Sequence, residues 1–302
     1  MTIRDRFTDY IHGLQDNICA ALEREDGSAV FREDKWDRAD GGGGRTRVIA
    51  GGSVFEKGGV NTSVVHGALP KTMQDAFGVP DSDFFACGLS LVIHPLNPYV
   101  PTVHANWRYF ELYNKAGERI DGWFGGGSDL TPYYLYEEDA RHFHTTLKNA
   151  MEPFGAELYP RFKKQCDDYF TNKHRGNEMR GIGGVFYDYQ RPADEVDAER
   201  LLRFQQANGD SFTEAYLPIV ARRKATAYTE RETEWQEIRR GRYVEFNLIH
   251  DRGTLFGLKT NGRTESILMS LPPRARWYYD HQPAEGSAEA EMMQYYHPKD
   301  WV

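Results

Sequence analysis

Cysteine is scarce in this chain of 302 residues, which contains only Cys19, Cys87 and Cys166. The three are far apart and odd in number, and none has the CxxC or CxxxCxxC spacing of thiolate zinc sites and iron–sulfur clusters. Such sites are therefore not expected. We predict three reduced thiols, buried or half-buried, in a reducing compartment.

Long apolar runs and excess positive charge are also missing. No stretch approaches the roughly 20 apolar residues that a membrane-spanning helix needs. Residues 1–6 lack the apolar core of a signal peptide and are too acidic for a transit peptide, so we expect no integral membrane segment and a cytoplasmic location unless a presequence was removed. With 45 acidic residues against 37 Lys and Arg, the net charge of −8 argues against a nucleic-acid partner.

Neither repeats nor linkers divide the sequence, so we predict a single domain over residues 1–302. Apolar residues three and four apart over 3–24 indicate an amphipathic helix. Further helices are predicted at 136–151, 158–173, 197–207, 212–223 and 229–239. Strands are predicted at 46–55, 84–94, 102–113, 183–189, 242–248 and 266–271.

The connection between the predicted strands 84–94 and 102–113 is too short for a parallel crossover. These two strands should therefore pair in the antiparallel sense. The pattern as a whole predicts an α+β fold, built on a largely antiparallel sheet that helices cover.

Polar side chains alternate along the predicted strand 102–113. His104, Asn106 and Arg108 share one face, because successive side chains of a strand point to opposite sides. A histidine, an amide and a guanidinium in register are an unusual way to build a core, and they suggest a binding surface. Trp107 lies on the opposite face, where packing against helices is favoured.

The neighbouring predicted strand repeats this polar pattern. Ser90 and His94 share a face of strand 84–94, and a hairpin with the following strand would place the two polar faces in one cleft. A solvent-exposed polar face would give the same pattern.

Three consecutive glycines, Gly125–Gly127, stand between aromatic residues. No GK[ST] sequence follows them, so this is not a phosphate-binding P-loop. Glycines permit close approach of the backbone to a ligand, which suits a large flat molecule, but a tight turn would also explain them. Asp129, shortly after, is interpreted as fixing a turn through its own backbone.

Several histidines are candidates for a metal site. His142 and His144 are two apart on a predicted helix and so do not face each other. His174 is close to a predicted helix end, where a positive charge is favoured. The spacing of His94, His104, His144 and His174 supports a metal site only weakly.

Two further segments place arginines beside glycines or turns. Arg175 and Arg180 lie close to the glycines that precede a predicted strand, and this strand ends at Asp188. Arginine can bind a carboxylate with two hydrogen bonds. Asp188 suits a general base or an anchor for a pyrrole N–H, although such residues often cap turns. Asn261-Gly262 is a typical hairpin-turn signal, and Arg263 adds positive charge there. An anionic, flat small molecule fits these features, but no reaction follows from them.

The chain nevertheless resembles the oxygen-dependent coproporphyrinogen oxidase family along nearly its whole length. The colinear motifs include GLSLVIHP (88–95), NPYVPTVHAN (97–106), WFGGGSDLTPY (123–133), RGIGGVF (180–186), RRGRYVEFN (239–247), GRTESILMSLPP (262–273) and PKDWV (298–302). The absence of CxxxCxxC excludes the radical enzymes that perform the same conversion without oxygen.

The resemblance implies conversion of coproporphyrinogen III and O2 to protoporphyrinogen IX, with two propionates becoming vinyl groups. It also implies a large, flat, mostly antiparallel sheet with helices on both faces and no organic cofactor. A homodimer is implied as well, with its interface between Arg239 and Ala275. Whether a divalent metal is needed stays open.

Roles for particular residues follow from the same resemblance. His104 matches a proposed proton donor, and Asp188 matches an aspartate proposed to hold the pyrrole nitrogens or to accept a proton. The substrate-binding candidates are Ser90, Asn106, Trp107, Arg108, Asn261, Gly262 and Arg263. The suggested metal ligands are His94, His104, His144 and His174.

The chain departs from the family pattern at three positions. Gly122 stands where the first of two tryptophans is usual, Tyr189 replaces the second of two aspartates, and Asn261 replaces the first glycine of a turn. Two other functions stay open: a metal-dependent oxygenase and a non-catalytic porphyrinogen-binding protein.

Overall fold

The computed structural model of the chain describes residues 1–259 and 262–302. In this part the helices, numbered in chain order, are α1 (Ile3–Asp26), α2 (Lys71–Phe77), α3 (Glu137–Met151), α4 (Leu158–Tyr169), α5 (Glu195–Asp210), α6 (Phe212–Arg223), α7 (Glu230–Ile249), α8 (Arg252–Lys259), α9 (Thr264–Leu268) and α10 (Ala288–Met293). Single turns of 3-10 helix lie at Glu152–Phe154 and Lys173–Arg175.

The strands are β1 (Arg32–Asp37), β2 (Gly42–Ala50), β3 (Phe55–Ala68), β4 (Asp83–Pro95), β5 (Thr102–Tyr113), β6 (Arg119–Thr131), β7 (Thr171–Asn172), β8 (Glu178–Met179) and β9 (Gly184–Gln190). Seven form one sheet in the order β1-β2-β3-β4-β5-β6-β9, and β7 pairs with β8. All described neighbours are antiparallel, which confirms the α+β prediction and the hairpin of β4 and β5.

Two predicted strands are wrong. Residues 242–248 continue helix α7, and residues 266–271 begin within helix α9. The alternation of polar and apolar residues in the first segment imitates a strand. The segment is helical because it belongs to a longer helix. Helix α7 starts with a capping box from Thr229 and Glu232 and buries residues on several sides. The predicted strand 46–55 also spans the turn between β2 and β3.

One face of the large sheet carries the main core. Helix α1 packs against β3, β4 and β5, and its apolar stripe is buried as predicted. Helices α3, α4 and α5 contact β6 or β9 on the same side of the molecule. Burial of these side chains supplies most of the favourable free energy of folding.

The opposite face of the sheet is covered only in part. Near one end, α2 lies over a second apolar cluster that contains Phe84, Phe110 and Trp123. At the other end, α7 contacts β4 through Tyr243, whose ring centre is 5.3 Å from that of His94. Between these covers, Ser90 is exposed in the middle of β4, so this part of the sheet face is open, and we call it the cleft. No described helix is long and apolar enough to span a membrane.

Candidate active site

Polar residues from three adjacent strands form one row across the open face of the sheet. Asn61 of β3 lies opposite Ser90 of β4, and Ser90 lies opposite Asn106 of β5. Directly opposed residues of paired strands point to the same side. The structure thus brings together Ser90, His104, Asn106 and Arg108 on the cleft face, as the alternation predicts.

Glycines form the floor of the cleft beside this row. Gly88, Gly125 and Gly127 lie opposite Arg108 or Asn106 in the register of the sheet. The predicted glycine-rich loop is therefore a stretch of strand β6. A Cβ atom at Gly127 would lie 2.4 Å from the Val185 carbonyl oxygen, and one at Gly125 would lie 2.8 Å from Arg108 Nε. Because glycine has no side chain, this part of the sheet face is flat enough for a flat ligand.

His104 is held by a buried ion pair at one end of the cleft. Its Nδ1 lies 2.7 Å from Asp129 Oδ1, and Arg180 Nη2 donates to both oxygens of Asp129 at 2.9 and 2.8 Å. The Arg180 guanidinium also donates to Asn247 and lies 4.2 Å from the ring centre of Phe170. This arrangement fixes the orientation of the His104 ring and directs Nε2 toward Asn106, 3.5 Å from its Nδ2.

The charge of Asp129 is maintained despite complete burial. Burial alone would raise the pKa of the carboxyl group, but the positive charge of Arg180 and the hydrogen bond to His104 bring that pKa below its ordinary value. The ionised carboxylate accepts a hydrogen bond from Nδ1 of His104 and leaves Nε2 of the ring on the side of the cleft.

Asp129 and Arg180 correct two interpretations of the sequence. Asp129 does not merely fix a turn, and Arg180 is not free for a ligand, because the two bind each other inside the protein. Part of this arrangement could be found from the sequence, because Asp129 lies directly opposite His104 once β5 and β6 are paired. Arg175 is likewise engaged, donating to both oxygens of Glu245.

A second charged group lies at the other end of the row. Arg108 Nη2 is 3.1 Å from Asp188 Oδ2, and its Nη1 donates to Asn106 Oδ1 at 2.5 Å. Arg252 of α8 approaches the same Asp188 oxygen at 3.5 Å. Arg252 could not be found from sequence, because only the tertiary fold brings α8 to β9.

Arg263 lies at the border of the cleft near β1 and β2. It forms an ion pair with Asp34 and donates to Ser266 Oγ at 3.1 Å. Ser266 Oγ is in turn 3.0 Å from Thr46 Oγ1. Gly262 N donates to the Gly257 carbonyl oxygen at 2.8 Å, and Asn261 lies outside the described residues. Arg263 precedes helix α9, so the predicted hairpin into a strand is wrong.

Comparison with known proteins identifies the family. Residues 6–301 match the family model described as coproporphyrinogen III oxidase. The chain belongs to this family. It is 50% identical over 312 aligned positions to a protein of Glycine max named oxygen-dependent coproporphyrinogen-III oxidase, chloroplastic, and the match covers all of this chain and 80% of that relative.

In this member of the coproporphyrinogen oxidase family, the side chain of Trp107 does not lie on the polar face of the sheet. Its side chain is 1% exposed and its ring centre lies 6.3 Å from that of Phe212 in α6, within the core. The Trp107 side chain therefore does not line the cleft, and the candidate role of Trp107 in substrate binding stays a prediction. Strand alternation is the reason, because Trp107 sits between two residues that face the cleft.

The four histidines suggested as metal ligands lie in separate environments. His94 has Nε2 2.9 Å from the Ser270 carbonyl oxygen and Nδ1 3.2 Å from Thr102 Oγ1, so both ring nitrogens are engaged. His144 is engaged likewise by Ile182 O and Tyr159 Oη. His174 contacts His250 and Glu245.

Among residues 1–259 and 262–302, no group of three or more His, Cys, Asp or Glu side chains has an arrangement that could hold a metal. Within that part of one chain, His94, His104, His144 and His174 do not form one such group, and their shared role as metal ligands stays a prediction.

Proposed function

We propose that this chain is an oxygen-dependent coproporphyrinogen III oxidase. For each propionate, –CH2CH2COO⁻ + O2 + H⁺ gives –CH=CH2 + CO2 + H2O2, so two electrons pass from the side chain to oxygen. The match to the family over residues 6–301 is the observation that carries this proposal. The open, glycine-floored face with its polar row supports it, because that face suits a flat anionic substrate.

Substrate carboxylates would bind at the two arginines of the cleft. Arg108 and Arg263 are paired with Asp188 and Asp34 in the protein alone, so each guanidinium is held in place before a ligand arrives. A propionate can replace the paired carboxylate and keep the charge of arginine neutralised. Ser90 and Asn106 offer hydrogen bonds between these points. The turn at Asn261-Gly262 belongs to the same proposed substrate-binding set.

Asp188 would then manage the pyrrole proton. When a propionate binds Arg108, Asp188 is released to accept the pyrrole N–H proton. The electron-rich pyrrole then adds O2 at a ring carbon as a peroxide. The peroxide takes a proton from the propionate carbon attached to the ring and leaves as HOO⁻, while the C–H electron pair forms an exocyclic C=C bond. Loss of CO2 then supplies the electron pair of the vinyl C=C bond, the ring electrons return to the pyrrole nitrogen, and Asp188 returns its proton there. His104, held by Asp129, would supply the proton that completes hydrogen peroxide.

Replacing Asp188 with Ala tests this role. We expect kcat to fall by roughly 100-fold or more, because a positioned general base contributes about that much. The Kd for coproporphyrin III, the stable oxidised form, should change far less. Steady-state kinetics and fluorescence titration measure the two quantities. An Asp188→Ala enzyme with normal turnover would remove Asp188 from the mechanism.

A homodimer is part of the proposal. Leu248 and Ile249 at the end of α7, and Leu258 in α8, are exposed apolar side chains within the segment from Arg239 to Ala275. Clustered exposed apolar residues are typical of interfaces.

Light scattering after size exclusion should therefore give twice the chain mass of 34.7 kDa. Ile249→Asp should shift the protein toward monomer. Ile120→Asp is the matched control, because Ile120 is about equally exposed but lies in β6, outside that segment. A monomeric wild type, or equal effects of both changes, would contradict the dimer.

The reaction itself is tested by incubating coproporphyrinogen III with the protein in air and under strict anaerobiosis, then identifying products by mass spectrometry. We expect protoporphyrinogen IX only in air. Binding without conversion in air would identify a porphyrinogen-binding protein instead. Restoration of activity by an added metal to chelator-treated protein would identify a metal-dependent oxygenase.

A further inference from the structure

Tyr189 has an unusual backbone conformation at the edge of the cleft. Its φ is +52°, a left-handed value that is rare for a bulky residue and strains the backbone. The pairing of β6 with β9 shifts register between Phe124 and Gly126 at this point. Such a bulge bends the strand and redirects side chains.

The redirected Tyr189 ring lies on the cleft side of the sheet. Its centre is 5.2 Å from that of Trp123, which belongs to the apolar cluster on the cleft face. Asp188, the preceding residue, points to the same side, where it pairs with Arg108. Two consecutive side chains thus face the cleft, which regular strand alternation would not allow.

Arg191 joins this aromatic pair. Its guanidinium carbon lies 5.1 Å from the ring centre of Trp123 and 5.2 Å from that of Tyr189. Asp121 holds the guanidinium through Nε and Nη2, each at 2.9 Å, and Gly122 N fixes Asp121 at 2.8 Å. Among the described residues only Nε and Nη2 of Arg191 donate, so Nη1 is left for another acceptor, because a guanidinium has five N–H donors.

Tyr189 and Arg191 thus each bring a donor group to the end of the cleft beyond Arg108. The Tyr189 side chain is half exposed, and within the described residues its hydroxyl has no hydrogen-bond partner. Arg191 is also half exposed, with 49% of its side-chain surface accessible. A mere cover for Trp123 would need neither the hydroxyl nor the free Nη1 group.

We propose that Tyr189 and Arg191 form a further carboxylate subsite. It binds one of the substrate propionates that are not converted to vinyl groups. This inference rests on the proposed function for the identity of the ligand. The carboxylate would accept hydrogen bonds from Tyr189 Oη and Arg191 Nη1.

Kinetics and binding with the full-length protein test the subsite. Tyr189→Phe and Arg191→Gln should each raise KM for coproporphyrinogen III about tenfold, the effect of losing a hydrogen bond to a charged group. We expect kcat to stay near the wild-type value, and the Kd for coproporphyrin III to rise in parallel with KM. Arg200→Gln, at a half-exposed arginine of α5 paired with Asp197, is the matched control and should change neither.

A purely structural role gives a different result. If Tyr189 and Arg191 only cover Trp123, then Arg191→Gln lowers the unfolding midpoint while KM and Kd stay at wild-type values, and the subsite is refuted. Failure of the proposed function is recognised separately: wild-type protein would show no turnover in air. A Kd for coproporphyrin III that still depends on both side chains would then leave the carboxylate subsite standing.

Discussion

At the scale of single residues, the site depends on carboxylates that orient cationic or proton-carrying groups. Asp129 does this for His104 and Asp188 does it for Arg108. The two carboxylates differ in burial, since Asp129 is 2% exposed and Asp188 is 18% exposed. The buried one is therefore permanent in its pairing, whereas the accessible one can exchange its partner for a ligand.

Asp129→Asn should separate these roles. The change leaves Arg180 buried without a compensating charge, which costs about 3–5 kcal/mol of unfolding free energy. It also removes the carboxylate that orients the His104 ring, so kcat should fall about 100-fold or more.

Urea unfolding and kinetics measured on the folded fraction check these two effects, and Asp129→Glu should recover part of both. A folded Asp129→Asn enzyme with unchanged kcat would show that His104 needs no charged partner.

At the scale of secondary-structure elements, α7 is fixed to the sheet by a buried arginine. Arg240 is fully buried, pairs with Glu56 of β3 at 2.7 Å and donates to the Pro95 carbonyl oxygen at 2.8 Å. These contacts hold α7, which includes residues 242–248, against β3 and the end of β4.

Arg240→Ala should destabilise the protein by about 3–5 kcal/mol, because Glu56 loses its buried partner. Glu234→Ala, in the same helix, is the control. Its side chain is 46% exposed and that of its partner Arg276 is 47% exposed, so we expect a loss of at most about 1 kcal/mol. Chemical denaturation monitored by circular dichroism gives both values. Similar losses for the two variants would show that α7 is not held in this way.

At the scale of the whole molecule, local patterns predicted the central strands but not the arrangement of the charged groups. Alternation along 102–113 placed His104, Asn106 and Arg108 correctly, because a strand period is a local property. The pairing of Arg180 with Asp129 joins residues about 50 apart in the chain, and neither segment alone contains that information. The sequence likewise did not show that His94, His144 and His174 lie in different environments.

Buried neutral histidines should make the whole molecule sensitive to mild acid. Burial lowers the pKa of His144 to about 3 and holds that of His94 well below its ordinary value. The unfolded chain, with ordinary histidine pKa values near 6.5, therefore takes up these protons first. This contribution to stability is complete above about pH 6.5 and is lost as the pH falls.

Each such histidine adds a slope of up to about 1.4 kcal/mol per pH unit between those pKa values. Urea unfolding at pH 7.5 and pH 5.5 measures the loss. In His144→Gln the loss between the two pH values should be smaller than in wild type, whatever the absolute stability of the variant. An equal pH dependence in both proteins would show that His144 is not the buried neutral group described.

The stoichiometry of oxygen consumption tests the central claim most directly. An oxygen electrode, read together with product analysis, should record two O2 consumed and two H2O2 released for each coproporphyrinogen III converted to protoporphyrinogen IX. Arg108→Gln should lower the rates of oxygen consumption and product formation together. Formation of the divinyl product without oxygen consumption would contradict the account, as would oxygen consumption that does not depend on the tetrapyrrole.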